Sequence, residues 1–172
     1  MPNIMRIGTM VLSLSWTSTL AAQTTDTLRN GDVVGDWQFG CVAIAEGQTS
    51  CALTQTILME PDAPPLAQIS FERATNSDQV VASLVVPIGS EVSSGPLLAT
   101  GDQGLSLPYI FCTPEGCLAR ALVAVESLAP FLSSDQLAVI YKRYGVEGMV
   151  RIPASSNGLK EAFQSLGLLQ AE

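Results

Sequence analysis

The side chains best equipped for chemistry in this chain are four cysteines, Cys41, Cys51, Cys112 and Cys117, and they fall into two close pairs. There is no histidine. Thiolates at fixed spacing could hold zinc, but that needs reduced cysteines. A thioredoxin-like redox pair needs two residues between its cysteines at a helix start. Four residues, Thr113-Pro114-Glu115-Gly116, separate the second pair here, and they are turn-forming types. A serine nucleophile needs a base, and without histidine only Lys142 or Lys160 is available, neither in a recognisable motif. Asp102, Glu115, Glu126 and Asp135 could supply a glycosidase-type carboxylate pair. Acids scattered among turns, however, read more simply as solvated loop residues. No calcium loop of alternating acids is present, and Gly101-Asp102-Gln103-Gly104 reads as a turn.

The elements that would hold the cysteines are hairpins. With Gly35 to Ala45 and Ser50 to Leu58 as strands about a turn centred on Glu46, Cys41 faces Cys51 and Phe39 faces Leu53. Trp37, Phe39 and Cys41 then share one face by the two-residue period. Leu105 to Cys112 and Cys117 to Val125 form a second hairpin that sets Phe111 opposite Leu118. Local pairs of this kind are cross-strand staples, each stabilising the fold by about 2–3 kcal/mol on the chain-entropy account. The crossed pairings, 41–112 with 51–117 or 41–117 with 51–112, stay open at this level.

The remaining pattern is mostly β. Ala67, Ile69 and Phe71 alternate with Gln68, Ser70 and Glu72 as a half-buried strand. Thr75-Asn76-Ser77-Asp78 is turn chemistry, and Val80 to Val86 is a β-branched run ended by Pro87. From Ile88 to Gly104 the chain is rich in Gly, Ser and Pro, with Leu97 and Leu98 as a short strand within a loop. Ser127 to Leu132 reads as one helical turn. Gln136 to Tyr141 and Met149 to Ile152 read as a hairpin across Gly145 and Gly148. Leu159, Ala162, Phe163 and Leu166 then repeat at helical spacing, giving a helix of about nine residues with Asn157 as N-cap and Gly167 as the C′ residue. Short strands between turn signals predict an all-β sandwich or barrel in a single domain, residues 23–172.

Residues 1–22 read as a secretory signal: Arg6, an apolar stretch from Ile7 to Leu14, then small residues up to Ala21-Ala22. The apolar stretch falls far short of the roughly 20 residues of a membrane-spanning helix, and no later segment is long enough either. Gln23 stands where a lipoprotein would need cysteine. Export to an oxidising compartment, periplasmic or secreted, fits the paired cysteines. The chain carries a net charge of −8, which disfavours nucleic acid and anionic membrane surfaces. Only 14% of its residues are charged, against a usual quarter. So few charges imply either unusually extensive burial or an apolar surface kept for a partner.

The second hairpin is the place to look for that surface. Cys117, Ala119, Ala121, Val123 and Val125 make one apolar face. Leu107, Tyr109 and Phe111, opposite Leu118, Arg120 and Leu122, make a second that is also largely apolar. One face of a sandwich sheet meets the core, so the other must be covered by the C-terminal helix, by the Ile88–Gly104 loop, or by a partner. On the last reading Tyr109 and Arg120 are the polar-tipped anchors. The cluster Tyr141-Lys142-Arg143-Tyr144 is a further candidate that reads as a strand running into a turn.

Taken in order, GDWQFGC at 35–41, a second cysteine ten residues on, VVPIG at 85–89, GP-L at 95–97, and LPYIFCTPEGCLAR at 107–120 resemble the invasion-associated locus B family of exported bacterial proteins. The resemblance runs from about Gly35 to Leu166. It implies an immunoglobulin-like β-sandwich of antiparallel strands, with one short C-terminal helix, in a periplasmic or envelope-associated protein. Some members are linked to host-cell invasion. The resemblance carries over no catalytic residue, metal or cofactor. The matched positions, Trp37, Cys41, Cys51, Pro87, Gly89, Tyr109, Cys112, Gly116 and Cys117, all have structural readings. The function expected is non-enzymatic contact with an envelope or extracellular protein. The alternatives are a small periplasmic hydrolase working through acids of the Ile88–Gly104 loop or beside Asp135, and a sandwich that binds a ligand in a pocket lined by Trp37 or Tyr109.

Overall fold

Alternation of apolar and polar residues dictates two layers, and the computed structural model, which describes residues 28–74 and 78–169, contains two antiparallel sheets. The strands are β1 (Val33–Val34), β2 (Trp37–Ala45), β3 (Gln48–Ile57), β4 (Ala67–Arg73), β5 (Gln79–Val86), β6 (Leu97–Thr100), β7 (Gln103–Ser106), β8 (Tyr109–Thr113), β9 (Gly116–Ala124), β10 (Leu137–Lys142) and β11 (Met149–Ala154). A 3-10 turn at Val125–Leu128 runs into a single helical turn, α1 (Ala129–Leu132), and α2 (Leu159–Ser165) ends the fold. The larger sheet has the order β1-β2-β3-β4-β5-β9-β8, and the smaller β11-β10-β6-β7. The signal reading at 1–22 and the turn residues 75–77 lie outside the described residues.

Around their staples both hairpins form in the expected register. Cys41 pairs with Cys51 and Phe39 with Leu53, while Cys112 pairs with Cys117 and Phe111 with Leu118. Both disulfides are local, and no described cysteine is free. The alternation in β4 also holds: Ala67, Ile69 and Phe71 are buried and their neighbours are not.

Four strands cannot cover the inner face of seven, and α2 fills the gap. Phe163 meets the Phe71 ring edge-on at 5.3 Å, and Phe71 in turn packs against Trp37 at 5.6 Å. All three rings are fully buried. The helix starts one residue later than expected, and Asn157 does not cap it. The N-cap is Gly158, with φ 81° and no side-chain cap. The reason is a backbone crossing. A Cβ on Gly158 would stand 2.2 Å from the Val34 carbonyl oxygen, and one on Gly35 would stand 2.3 Å from that of Asn157. Asp36 N donates to Asn157 O at 3.1 Å across the same contact. At the other end Gly167 is the C′ residue as read: its N–H donates to Gln164 O at 2.9 Å, and Leu168 N–H donates to Phe163 O at 3.0 Å, a Schellman closure.

The two layers are also sewn together by Gln55, which is 5% exposed. Its Nε2 donates to Ser155 O and its Oε1 accepts from Ser155 N, both at 2.9 Å. The amide thereby acts as an extra peptide unit between β3 and the end of β11. Trp37 Nε1 donates to the same Ser155 carbonyl at 3.1 Å, so the indole N–H is satisfied although the ring is buried. Opposite this seam, the loop after β5 is strapped to β10 by the Lys142–Glu91 ion pair at 2.8 Å and by an antiparallel bridge between Ser90 and Arg143. Lys142, with help from Ser93, holds the half-buried Glu91 carboxyl below the usual carboxylate range.

The structure corrects one strand. Leu105 to Cys112 is not continuous but two strands in different sheets, β7 and β8, with Leu107 and Pro108 crossing between them. Leu107 is fully buried at the crossing and donates its N–H to Pro96 O at 3.0 Å. Gly95, beside it, has no room for a Cβ, which would lie 2.0 Å from Leu107 O. Pro108 lacks the N–H that a continuing ladder would need. The Gly, Ser and Pro-rich stretch before it likewise contains β6, a full four-residue strand that begins at Leu97 and pairs with both β7 and β10.

Candidate interaction surface

Strand register builds the outer face of the larger sheet row by row. Phe111 on β8, Leu118 on β9 and Val85 on β5 form one row. Arg120, Ser83, Ser70 and Thr54 form the next, and Leu122, Val81, Glu72 and Ala52 the third. On β9 and β5 two apolar rows therefore flank a polar one, about 13 Å apart from Leu118 to Leu122 at the usual strand rise. Neither the C-terminal helix nor the loop after β5 covers this face. Leu122 is 55% exposed, and Phe111 and Ile110 are 54% and 57% exposed. The helix instead packs on the opposite, core side through Phe163.

Arg120 sits where the sequence placed it, exposed on the outer face. Its Nε donates to Ser83 Oγ at 3.0 Å, a contact that only the β5–β9 register reveals. Ser83 is buried although it lies on this outer face, because the arginine lies over it.

Tyr109 does not share that face. The register shifts between Tyr109 and Phe111, so Tyr109 pairs with the fully buried Ala119 and Ile110 becomes the extra residue of a bulge. A bulge inverts the side-chain alternation across it. The Tyr109 ring consequently packs against the core, and the residues it leaves outside are Ile110 and Phe111. Its hydroxyl is buried with no hydrogen-bond partner among the described residues. Burial pushes the phenol above its usual value, and Ser90 nearby offsets part of that rise. The Ser90 hydroxyl itself donates to Pro87 O at 2.8 Å.

The residues considered for catalysis are dispersed. Asp102 lies in the β6–β7 turn, Glu115 in the β8–β9 turn, Glu126 in the 3-10 turn and Asp135 just before β10. The Thr113 hydroxyl holds the Glu115 carboxyl below the usual range. Glu126 shares a cleft of about 280 Å³ with Asp78 and Arg73, and Asp135 lines a different one with Ser133, Ser155 and Asn157. A shallow cleft of about 440 Å³ lies along the seam, lined by Asp36, Gln55, Thr56, Pro153 and Ser155. Its polar groups are engaged with one another: Ser155 Oγ donates to Asp36 Oδ2, and Gln55 is bound to the Ser155 backbone. Trp37 is sealed behind it rather than lining it. Among the described residues no group of three or more cysteines and acids stands close enough to hold a metal ion. No helix among them is long and apolar enough to cross a membrane.

The fold is similar to the crystal structure of invasion associated protein B from Bartonella henselae. The TM-score is 0.63 at 21% sequence identity, over 80% of this chain and 95% of that one. Among curated protein sequences none matches the chain. A family profile described as invasion associated locus B (IalB) protein matches residues 37–167. That stretch runs from the buried Trp37 through both staples to the glycine that closes α2, and the chain belongs to the invasion associated locus B family.

Proposed function

We propose that the protein is an exported, non-enzymatic domain of the cell envelope or its surroundings, and that it works by binding another protein through the outer face of β5, β9 and β8. One observation carries this reading: an apolar sheet face with Phe111 and Leu122 more than half exposed and, among the described residues, no element laid over it. Large exposed apolar residues gathered on one face mark contact surfaces in soluble domains. Export is supported by the character of residues 1–22 and by two disulfides in so small a domain. A link to host-cell contact, as the family name has it, belongs to the same proposal.

The test is crosslinking capture from envelope fractions with the wild type and with Leu122→Glu. A polypeptide held by the wild type and lost from the variant is the expected result. Identical captures by the two proteins, or turnover of a defined substrate by the purified domain, would overturn the proposal.

A further inference from the structure

Arg120 lies between the two apolar rows of the outer face, so whatever covers both rows must also cover the guanidinium. Its Nε is engaged by Ser83 Oγ, which fixes the plane of the group. Among the described residues neither terminal nitrogen has an acceptor, and the ion pair found there, Lys142–Glu91, is elsewhere. Exposed to water this arrangement costs little. Beneath an apolar partner it would leave a buried, unpaired charge, whose desolvation cost would cancel much of what the apolar rows gain.

We infer that the occupant of this face is a segment of a partner protein whose apolar surface carries a single carboxylate, seated on Arg120. The inference rests on the reading of the face as a binding surface and names the chemistry of what binds. A guanidinium held at Nε presents its two outer N–H groups as a fork, which matches the two oxygens of an Asp or Glu side chain.

The other occupants fit less well. A second copy docked by the same patch about a two-fold axis through its centre would set Arg120 against Arg120. Nucleic acid or an anionic lipid surface rewards clusters of cations, whereas this face presents one, on a chain of net charge −8. Strand addition at β8 is hindered by the shortness of that edge, by its bulge at Ile110 and by Pro108 just before it. The acidic character of the whole chain also disfavours a broadly acidic partner, so the carboxylate belongs in an apolar setting.

The experiment measures binding of short synthetic peptides of Val, Leu and Phe with one central Glu, against matched peptides with Gln, by fluorescence anisotropy with the full-length mature protein. The Glu peptides are expected to bind about tenfold or more tightly, the size of a charge-assisted contact. Arg120→Gln should abolish that preference, Arg120→Lys should retain part of it, and Leu122→Glu should weaken both peptide sets. Equal binding of Glu and Gln peptides, with Leu122→Glu weakening both, overturns the carboxylate while leaving the face as the binding surface. Binding indifferent to Leu122→Glu overturns both. If neither peptide set binds, or if the wild type sediments as a dimer that Leu122→Glu dissociates, this inference is overturned.

Discussion

At the scale of single residues, Tyr109 shows how a side chain can be misplaced by one position. Strict alternation from Phe111 puts it on the outer face beside Arg120, but the extra residue Ile110 rotates it into the core. Nothing in Leu-Pro-Tyr-Ile-Phe announces the bulge. It becomes visible only once Pro108 is seen to interrupt a strand that changes sheets. Arg120, by contrast, is legible, because β9 is regular and its period of two survives from Cys117 to Val123. The buried Tyr109 hydroxyl has no hydrogen-bond partner among the described residues, so removing it relieves a desolvated group. Tyr109→Phe is therefore expected to leave stability unchanged or raise it by about 1 kcal/mol in urea unfolding. A loss of that size would show that the hydroxyl is bonded in solution, with Ser90 the nearest candidate.

At the scale of elements, the hairpins were readable and the helix start was not. Cysteine spacing, the apolar period of β2 and the turn residues all agreed on the register of the first hairpin, and the structure has that register. The helix stripe of Leu159, Ala162 and Phe163 is equally plain, and all three are buried. Asn157 looked like a cap because its type favours that role. The actual start is decided by a contact with residues far away in sequence, where Gly35 and Gly158 let two backbones touch. Such tertiary overrides leave no local trace beyond a glycine. Gly158→Ala must lose the left-handed conformation or push away the Val34 carbonyl. It is expected to destabilise the protein by about 2 kcal/mol or more, with α2 undocking first. Hydrogen exchange would show early loss of protection in α2, and an unchanged exchange pattern would contradict this account.

At the scale of the molecule, sheet order was beyond the sequence. A two-layer β fold follows from alternation and turns, but the division into seven strands and four depends on the crossing at Leu107 and Pro108 and on the Gln55 seam. The open face depends on both, since it exists only because the smaller layer and α2 lie on the other side. The two staples lie on different hairpins of the larger sheet. Their removal is expected to act nearly additively, at about 2–3 kcal/mol each. Against a typical domain stability of about 5–15 kcal/mol, that is a large share. Full reduction should lower the urea midpoint by an amount close to the sum of the two single double-serine variants, Cys41→Ser with Cys51→Ser and Cys112→Ser with Cys117→Ser. A midpoint untouched by reductant would mean that the hairpins hold their register without sulfur.

The meeting of Gly35 with Gly158 also sets an order of events. A chain made from its N-terminus can pair β2 with β3 early, but Trp37 and Phe71 stay without the Phe163 ring until α2 has been made. The aromatic core is thus closed by the last element of the fold, and a chain stopped short of Leu159 would leave the Phe71 ring without its edge-on partner.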